Sequence, residues 1–258
     1  MELENPYFDV QAELGITKHA GGLRATEALI ESCRLGRETR VLDVGCGVGT
    51  TTCHIARKLG CPTVGVDISP RMIERATERI RRKGLADRVE LRVADAQDLP
   101  FEDGAFDAVL SESVTAFAAD KQAAVREYAR VVRPGGYVGL SETTWLTTET
   151  PRRVIDFVDR SIGGVRPLTS EGWQSLLATA GLREIAGSAR KITLLAQIGQ
   201  EIRGLDPLDA ARAWSRLLTL VATRSVYRRA IRGMVRDALS IPRGLFGHFG
   251  FGIYTGRK

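Results

Sequence analysis

Residues 41–50 read Val41-Leu42-Asp43-Val44-Gly45-Cys46-Gly47-Val48-Gly49-Thr50. Val41–Val44 is short, apolar and β-branched, the composition of a buried strand. Three alternating glycines follow, then a helical pattern from Thr51 to Leu59. A strand that runs through a Gly-rich turn into a helix aims backbone N–H groups and the positive end of the helix dipole at one point. Glycine also removes the Cβ that would block a ligand's close approach. A second short strand, Thr63-Val64-Gly65-Val66-Asp67, ends on an acid. It stands ~20 residues beyond the glycines, where a strand-end carboxylate can accept hydrogen bonds from ribose hydroxyls. The stretch reads as a nucleotide or cofactor cradle.

Outward from this unit, strands and helices alternate. Upstream, residues 5–22 read as a loop that carries Tyr7, Phe8, Lys18 and His19, and Leu23–Cys33 reads as a helix ended by Gly36. Downstream, Ser69-Pro70 supplies an N-cap and a first helical position. Val89–Val93, Phe106–Leu110 and Tyr137–Ser141 read as strands three to five, with a helix over Lys121–Val132 stopped by Arg133-Pro134-Gly135-Gly136. This alternation predicts a parallel sheet covered on both faces, with ligands at the carboxyl ends of its strands. Gly45–Gly49, Asp67, Asp95 and Ser111–Ser113 fall at such ends. Beyond residue 142 the rhythm changes: helices over 151–161 and 170–181, a strand over 183–193, one or two amphipathic helices over 206–239, and a last strand over 248–255. On the long segment, Leu218, Val221, Ala222 and Ser225 are expected on a different face from Arg212, Arg216 and Thr219.

The chain of 258 residues is 43% hydrophobic and 26% charged, ordinary for one globular domain spanning 1–258. No apolar run approaches the ~18 residues that cross a bilayer, and the acidic start Met1-Glu2-Leu3-Glu4 is not that of a secretory signal. Cys33, Cys46, Cys53 and Cys61 crowd one third of the chain with neither a disulfide framework nor zinc spacing. A reduced, cytoplasmic protein with no metal site is the expectation. The net charge of +6 is uneven, with nine Arg against four acids in residues 201–243. That segment reads first as a solvated lid, second as a surface for anionic membrane; nucleic acid is disfavoured.

Taken together, Val41–Gly49, Gly65-Val66-Asp67-Ile68-Ser69, Ala94-Asp95-Ala96, Leu99-Pro100-Phe101, Phe106-Asp107 and Val131-Val132-Arg133-Pro134-Gly135-Gly136 resemble the class I S-adenosylmethionine-dependent methyltransferases. The likeness covers roughly residues 38–142 and is nearest to the ubiquinone/menaquinone-biosynthesis-like branch that acts on small molecules. It implies an α/β, Rossmann-like, doubly wound sheet of seven strands, the last antiparallel, with strands six and seven at 183–193 and 248–256. The cofactor-binding core would span about 36–142, with helical cap segments at 1–22, 143–168 and 195–245. It implies that Gly45, Cys46 and Gly47 face the methionine part of the cofactor and that Asp67 holds the ribose. Ile68 would pack on adenine, Asp95 would accept from its amino group and Ala96 would donate its N–H. Ser111 and Glu112 would lie beside the amino-acid end or the methyl. The implied activity is methyl transfer from S-adenosylmethionine to a small, partly apolar molecule, leaving S-adenosylhomocysteine. The alternative is a catalytically inactive scaffold or sensor that keeps the cofactor site.

Other readings were weighed on the residues. A nicotinamide fingerprint is Gly-x-Gly-x-x-Gly, but here the sixth position is Thr50. Asp43 is expected to orient the turn more than to touch the ligand. A general base is needed only if the acceptor must lose a proton. The candidates are Tyr7, His19, Glu112, Glu142, His248 and Tyr254, of which His19 and Glu112 are the catalytic choices.

Overall fold

The computed structural model describes residues 5–15, 19–192 and 207–258. Thr193 of the expected sixth strand, residues 195–206 of the expected third cap segment, and Lys18 lie outside the described residues.

Strand β1 (Val41–Val44) is buried at every position because it lies between two parallel neighbours, β2 (Thr63–Asp67) and β4 (Phe106–Glu112). From β2 the sheet continues outward to β3 (Val89–Val93). From β4 it continues the other way to β5 (Val132–Trp145). β7 (Arg183–Lys191) and β8 (Phe249–Arg257) complete it, giving the order β3-β2-β1-β4-β5-β8-β7. β8 runs antiparallel to both β5 and β7. A two-residue strand, β6 (Leu168–Thr169), adds to β5 as an eighth member off this path. The chain therefore winds outward from β1 to β3, then crosses back to β4. The switch point, where a doubly wound sheet opens a crevice, lies between the ends of β1 and β4.

Helices cover both faces. One face carries α2 (Gly22–Ser32), α3 (Thr50–Leu59) and α4 (Pro70–Arg82), where Ile30, Ile55 and Ile80 meet Val41, Leu110 and Val89 in two apolar clusters. The other face carries α5 (Lys121–Val131), α6 (Arg152–Ser161) and α7 (Ser170–Thr179), whose Tyr128, Phe157 and Trp173 join Leu42, Val109 and Leu140 in the largest cluster.

Two expectations are corrected. Residues 5–22 are not all loop: Pro6–Leu14 is helix α1, capped by the Asn5 side chain on the Tyr7 N–H and closed by Gly15 at φ 69°. The Arg133–Gly136 run does not separate helix from strand, since β5 starts at Val132 and pairs with β8 out to Trp145. Of the one or two helices expected in the long segment there are two among the described residues, α8 (Pro207–Thr223) and α9 (Ser225–Leu239). Leu218 is 67% exposed, whereas Arg216 turns inward to Glu78. Leu220 and Tyr227 bury against Val10 of α1.

Asp209 of α8 sets this orientation. It pairs with Arg79 at 3.4 Å and Arg82 at 2.8 Å, both on α4. Arg79 is itself buried and also donates to the carbonyls of Val48 and Gly15 and to the Thr50 hydroxyl. One side chain thus ties the glycine turn, the end of α1 and α8 together. Removing the partner of a buried charge costs more than the pair contributes. Asp209→Asn should therefore destabilise the chain by ~1–3 kcal/mol and accelerate amide hydrogen exchange in α8 and α9 before the sheet. Equal exchange in both variants would mean that apolar packing alone holds the pair.

Candidate functional site

The glycine turn takes backbone angles that side chains resist. Gly45, Gly47 and Gly49 have φ of 70°, 54° and 75°. A Cβ on Gly45 would stand 2.1 Å from Cγ2 of Val114, so the turn and the loop after β4 can meet only through glycine. The turn is then pinned to β2. The Cys46 N–H donates to the Val66 carbonyl at 2.9 Å. The Gly47 N–H donates to Oδ2 of Asp67, and the Ser69 N–H to its Oδ1, both at 2.9 Å. Asp67 thus joins two loops while keeping lone pairs for other donors.

Above these strand ends lies a cavity of about 520 Å³. Four carboxylates line it, Asp43, Asp67, Asp95 and Glu112, and among the described residues no Lys or Arg does. Such a lining suits a cationic ligand. The fit to S-adenosylmethionine is positive: a Cβ-free cradle, an acceptor at the end of β2, and carboxylates for a sulfonium and an ammonium.

The acids differ in their surroundings. Asp43 is 2% exposed and accepts from the Thr52 hydroxyl at 2.6 Å. Burial, reinforced by the nearby Glu112 and Asp67 and opposed by the Thr52 bond, pushes it up to about 7. Burial also raises Asp67, against the two backbone donors that lower it. Glu112 accepts from Thr51 at 2.6 Å and from Thr26 at 3.0 and 3.1 Å, and stands 3.4 Å from Nδ1 of His19. Asp95 is folded onto its own loop, accepting from the Gln97 N–H at 2.9 Å and side-chain amide at 3.2 Å.

The structure brings Gly45, Cys46, Gly47, Asp67, Ile68, Asp95, Ala96, Glu112 and His19 to this one cavity. Ile68, 67% exposed, offers an apolar surface at its rim. Ser111 is corrected: it is fully buried, bonds Thr115 at 3.1 Å and does not line the cavity. Glu142, His248 and Tyr254 also stand outside its wall. His248 bonds Thr147 at 2.7 Å, and Tyr254 bonds Thr144 at 3.0 Å. Glu142 instead organises the wall. Its carboxylate accepts from the N–H groups of Val114, Thr115 and Ala116, and burial raises it to about 7. This fixes the turn that carries Phe117 into the cavity. His19 is positioned by its neighbour: the Ala20 N–H donates to Oγ of Ser113 at 3.2 Å.

Residues that the sequence does not single out, most of them apolar, complete the lining. Phe8 and Gln11 of α1, Phe117, Ile162 and Phe249 all face the cavity, and Phe8 meets Phe117 edge to face at 4.9 Å. Asn5-Pro6, a cap followed by a first-turn proline, was the available signal for α1; nothing local said that α1 would form a roof.

Asp43 and Glu142 both titrate higher in the folded chain than their usual 3.8 and 4.5. Their contribution is fully present below those usual values and is lost as pH rises through about 7. Asp43→Asn keeps an acceptor for Thr52, so its melting temperature should fall less than that of the native chain between pH 5 and 8. An unchanged pH dependence would locate the titration elsewhere. A second test concerns shape: Gly45→Ala should destabilise by ~2 kcal/mol or more through strain and overlap, and Val114→Ala on that background should restore part of it by denaturant melts. No restoration would deny the contact its role.

Comparison with known proteins agrees with the geometry. A family described as a methyltransferase domain matches residues 42–140. Over 192 residues the chain is 32% identical to an uncharacterized protein of Haemophilus influenzae, covering 73% of this chain and 76% of that one. Over 184 residues it is 30% identical to the 27-O-demethylrifamycin SV methyltransferase of Amycolatopsis mediterranei, covering 70% of this chain and 66% of that enzyme. Among solved structures, the (4+2)-cyclase SpnF aligns with a TM-score of 0.70 at 26% identity, over 91% of this chain and 80% of that one. With a methyltransferase domain matched across the strands whose ends carry Asp43, Asp67 and Glu112, and with these relatives, the chain belongs to the class I S-adenosylmethionine-dependent methyltransferases.

Proposed function

We propose that the chain methylates a small, partly apolar molecule in the cytoplasm, with His19 and Glu112 acting on the proton of the acceptor. The observation that carries this reading is the mixed lining of the cavity, which joins carboxylates at the strand ends to Tyr7, Phe8, Phe117, Ile162 and Phe249. An acceptor with an apolar body buries its surface against those side chains and leaves its polar atom toward the acids. Within the proposed scheme, segment 1–22 roofs the acceptor through α1, and 143–168 contributes Ile162. Residues 207–245 support α1 from outside, for none of them lines the cavity.

When bound, S-adenosylmethionine supplies an electrophilic methyl on a good leaving group, so positioning carries much of the rate. Asp67 would hold the ribose with the lone pairs that Gly47 and Ser69 leave, and Ile68 would cover adenine. Asp95 and Ala96 would read its edge. Asp43, which burial raises to about 7, would ionise beside a cationic ligand. With its proton on Nδ1, which lies 3.4 Å from Glu112, the His19 ring would present Nε2 as the basic nitrogen. Thr26 and Thr51 hold the Glu112 carboxylate in place for that role.

Asp67→Ala should weaken S-adenosylmethionine binding by ~1–3 kcal/mol; unchanged affinity in calorimetric titration would sink the ribose assignment. With a metabolite extract and methyl-labelled cofactor, a product heavier by one methyl should appear together with S-adenosylhomocysteine. Conversion without that by-product would point to chemistry in which the cofactor is not consumed. On the product so found, His19→Ala should lower kcat by ~10²–10⁴-fold with cofactor affinity retained. A native rate would make His19 a wall residue only.

A further inference from the structure

The outward surfaces of α8 and α9 take no part in the site. The inner side of α8 is spent on α4 and α1, through Asp209, Arg216 and Leu220. Its outer side is nevertheless apolar. Trp214 is 65% exposed and Leu218 67%. Ala211 and Ala222, also exposed, extend the same stripe at helical spacing. On α9 the exposed stripe runs Arg232, Val235, Arg236, Leu239, with Val235 54% and Leu239 85% exposed.

Charge surrounds these apolar groups. Residues 207–243 carry eight Arg and two Asp. Both Asp are engaged: Asp209 with Arg79, Arg82 and Arg212, and Asp237 near Arg236 and Arg160. Arg224, Arg229, Arg232 and Arg243 are exposed and have no carboxylate partner among the described residues. A Trp and leucines flanked by arginines is the composition of a helix lying in an anionic lipid interface.

We propose that the α8–α9 pair docks the enzyme on an anionic lipid surface, with Trp214 and Leu218 entering the headgroup–acyl boundary. A second copy of this chain fits the face poorly, because a two-fold contact would set its arginines against themselves. A nucleic acid would satisfy the arginines and leave Leu218, Val235 and Leu239 in water. Docking there would bring the cavity to a pool of apolar acceptors; that link rests on the proposed function, whereas docking itself does not.

The test is co-sedimentation of the full chain with vesicles of phosphatidylcholine alone and of phosphatidylcholine mixed equally with phosphatidylglycerol. Binding is expected to the mixed vesicles, weakening as salt rises, with a blue shift of emission that Trp214→Phe removes. Trp214→Ser with Leu218→Ser should reduce binding on the order of tenfold or more. Its unchanged melting temperature and S-adenosylmethionine affinity would show that the fold and cofactor site persist. The proposal is overturned by no association with the mixed vesicles at low salt, or by equal association of the double variant. It is also overturned if the native chain sediments as a dimer that the double variant splits, which would give this face to a second copy.

Discussion

Carboxylates crowded at one sheet edge, with no Lys or Arg among the described residues that line the cavity, are the constraint on which the site rests. Gathering Asp43, Asp67, Asp95 and Glu112 around one cavity invites mutual repulsion and desolvation. The chain meets this with neutral donors. Thr52 serves Asp43; Thr26 and Thr51 serve Glu112; the Gly47 and Ser69 N–H groups serve Asp67; Gln97 serves Asp95. Hydroxyls and amides stabilise the acids without cancelling their charge. The raised position of Asp43 marks what remains uncompensated. A cationic sulfonium complements such a site.

The second organising element is the loop after β4. Ser113 sits at φ 57°, a conformation uncommon for a residue with a side chain. It is held there from two sides: its hydroxyl takes the Ala20 N–H, and Glu142 takes the next three amides. The loop thereby presses Val114 onto Gly45, presents Phe117 to Phe8, and keeps His19 beside Glu112. Arg79 plays the matching part behind the turn, joining it to α1 and α8. Cofactor cradle and acceptor wall are therefore coupled through a few buried polar groups rather than through the sheet alone.

The legible parts were those governed by local chemistry. β1, β2 and β3 fall where their apolar β-branched runs lie, and α4 begins at the Ser69-Pro70 cap. β5 was read too short because Glu142, Thr143 and Thr144 look polar. In the fold Glu142 and Thr144 have partners in the loop after β4 and in Tyr254, and the Thr143 carbonyl accepts from Trp173. Ser111 was placed at the ligand because it ends a strand, yet strand alternation points it to Thr115 and away from the cavity. α8 is apolar on two sides, with Leu220 turned in and Leu218 turned out, so periodicity alone had no basis for choosing the buried one.

What the sequence by itself determined was the cofactor half: the glycines at 45, 47 and 49, the acid after β2 and the alternating elements that put them at one sheet edge. Those features depend on backbone angles, caps and strand composition, all of which act within a few residues. Tertiary structure alone decided the half proposed to hold the acceptor. α1, Ile162, Phe117 and Phe249 are separated by up to most of the chain and meet only because the sheet and its helices set their positions. No local propensity encodes such a meeting, and for that reason the cavity's aromatic wall, the His19–Glu112 contact and the outward face of α8 appear only in three dimensions.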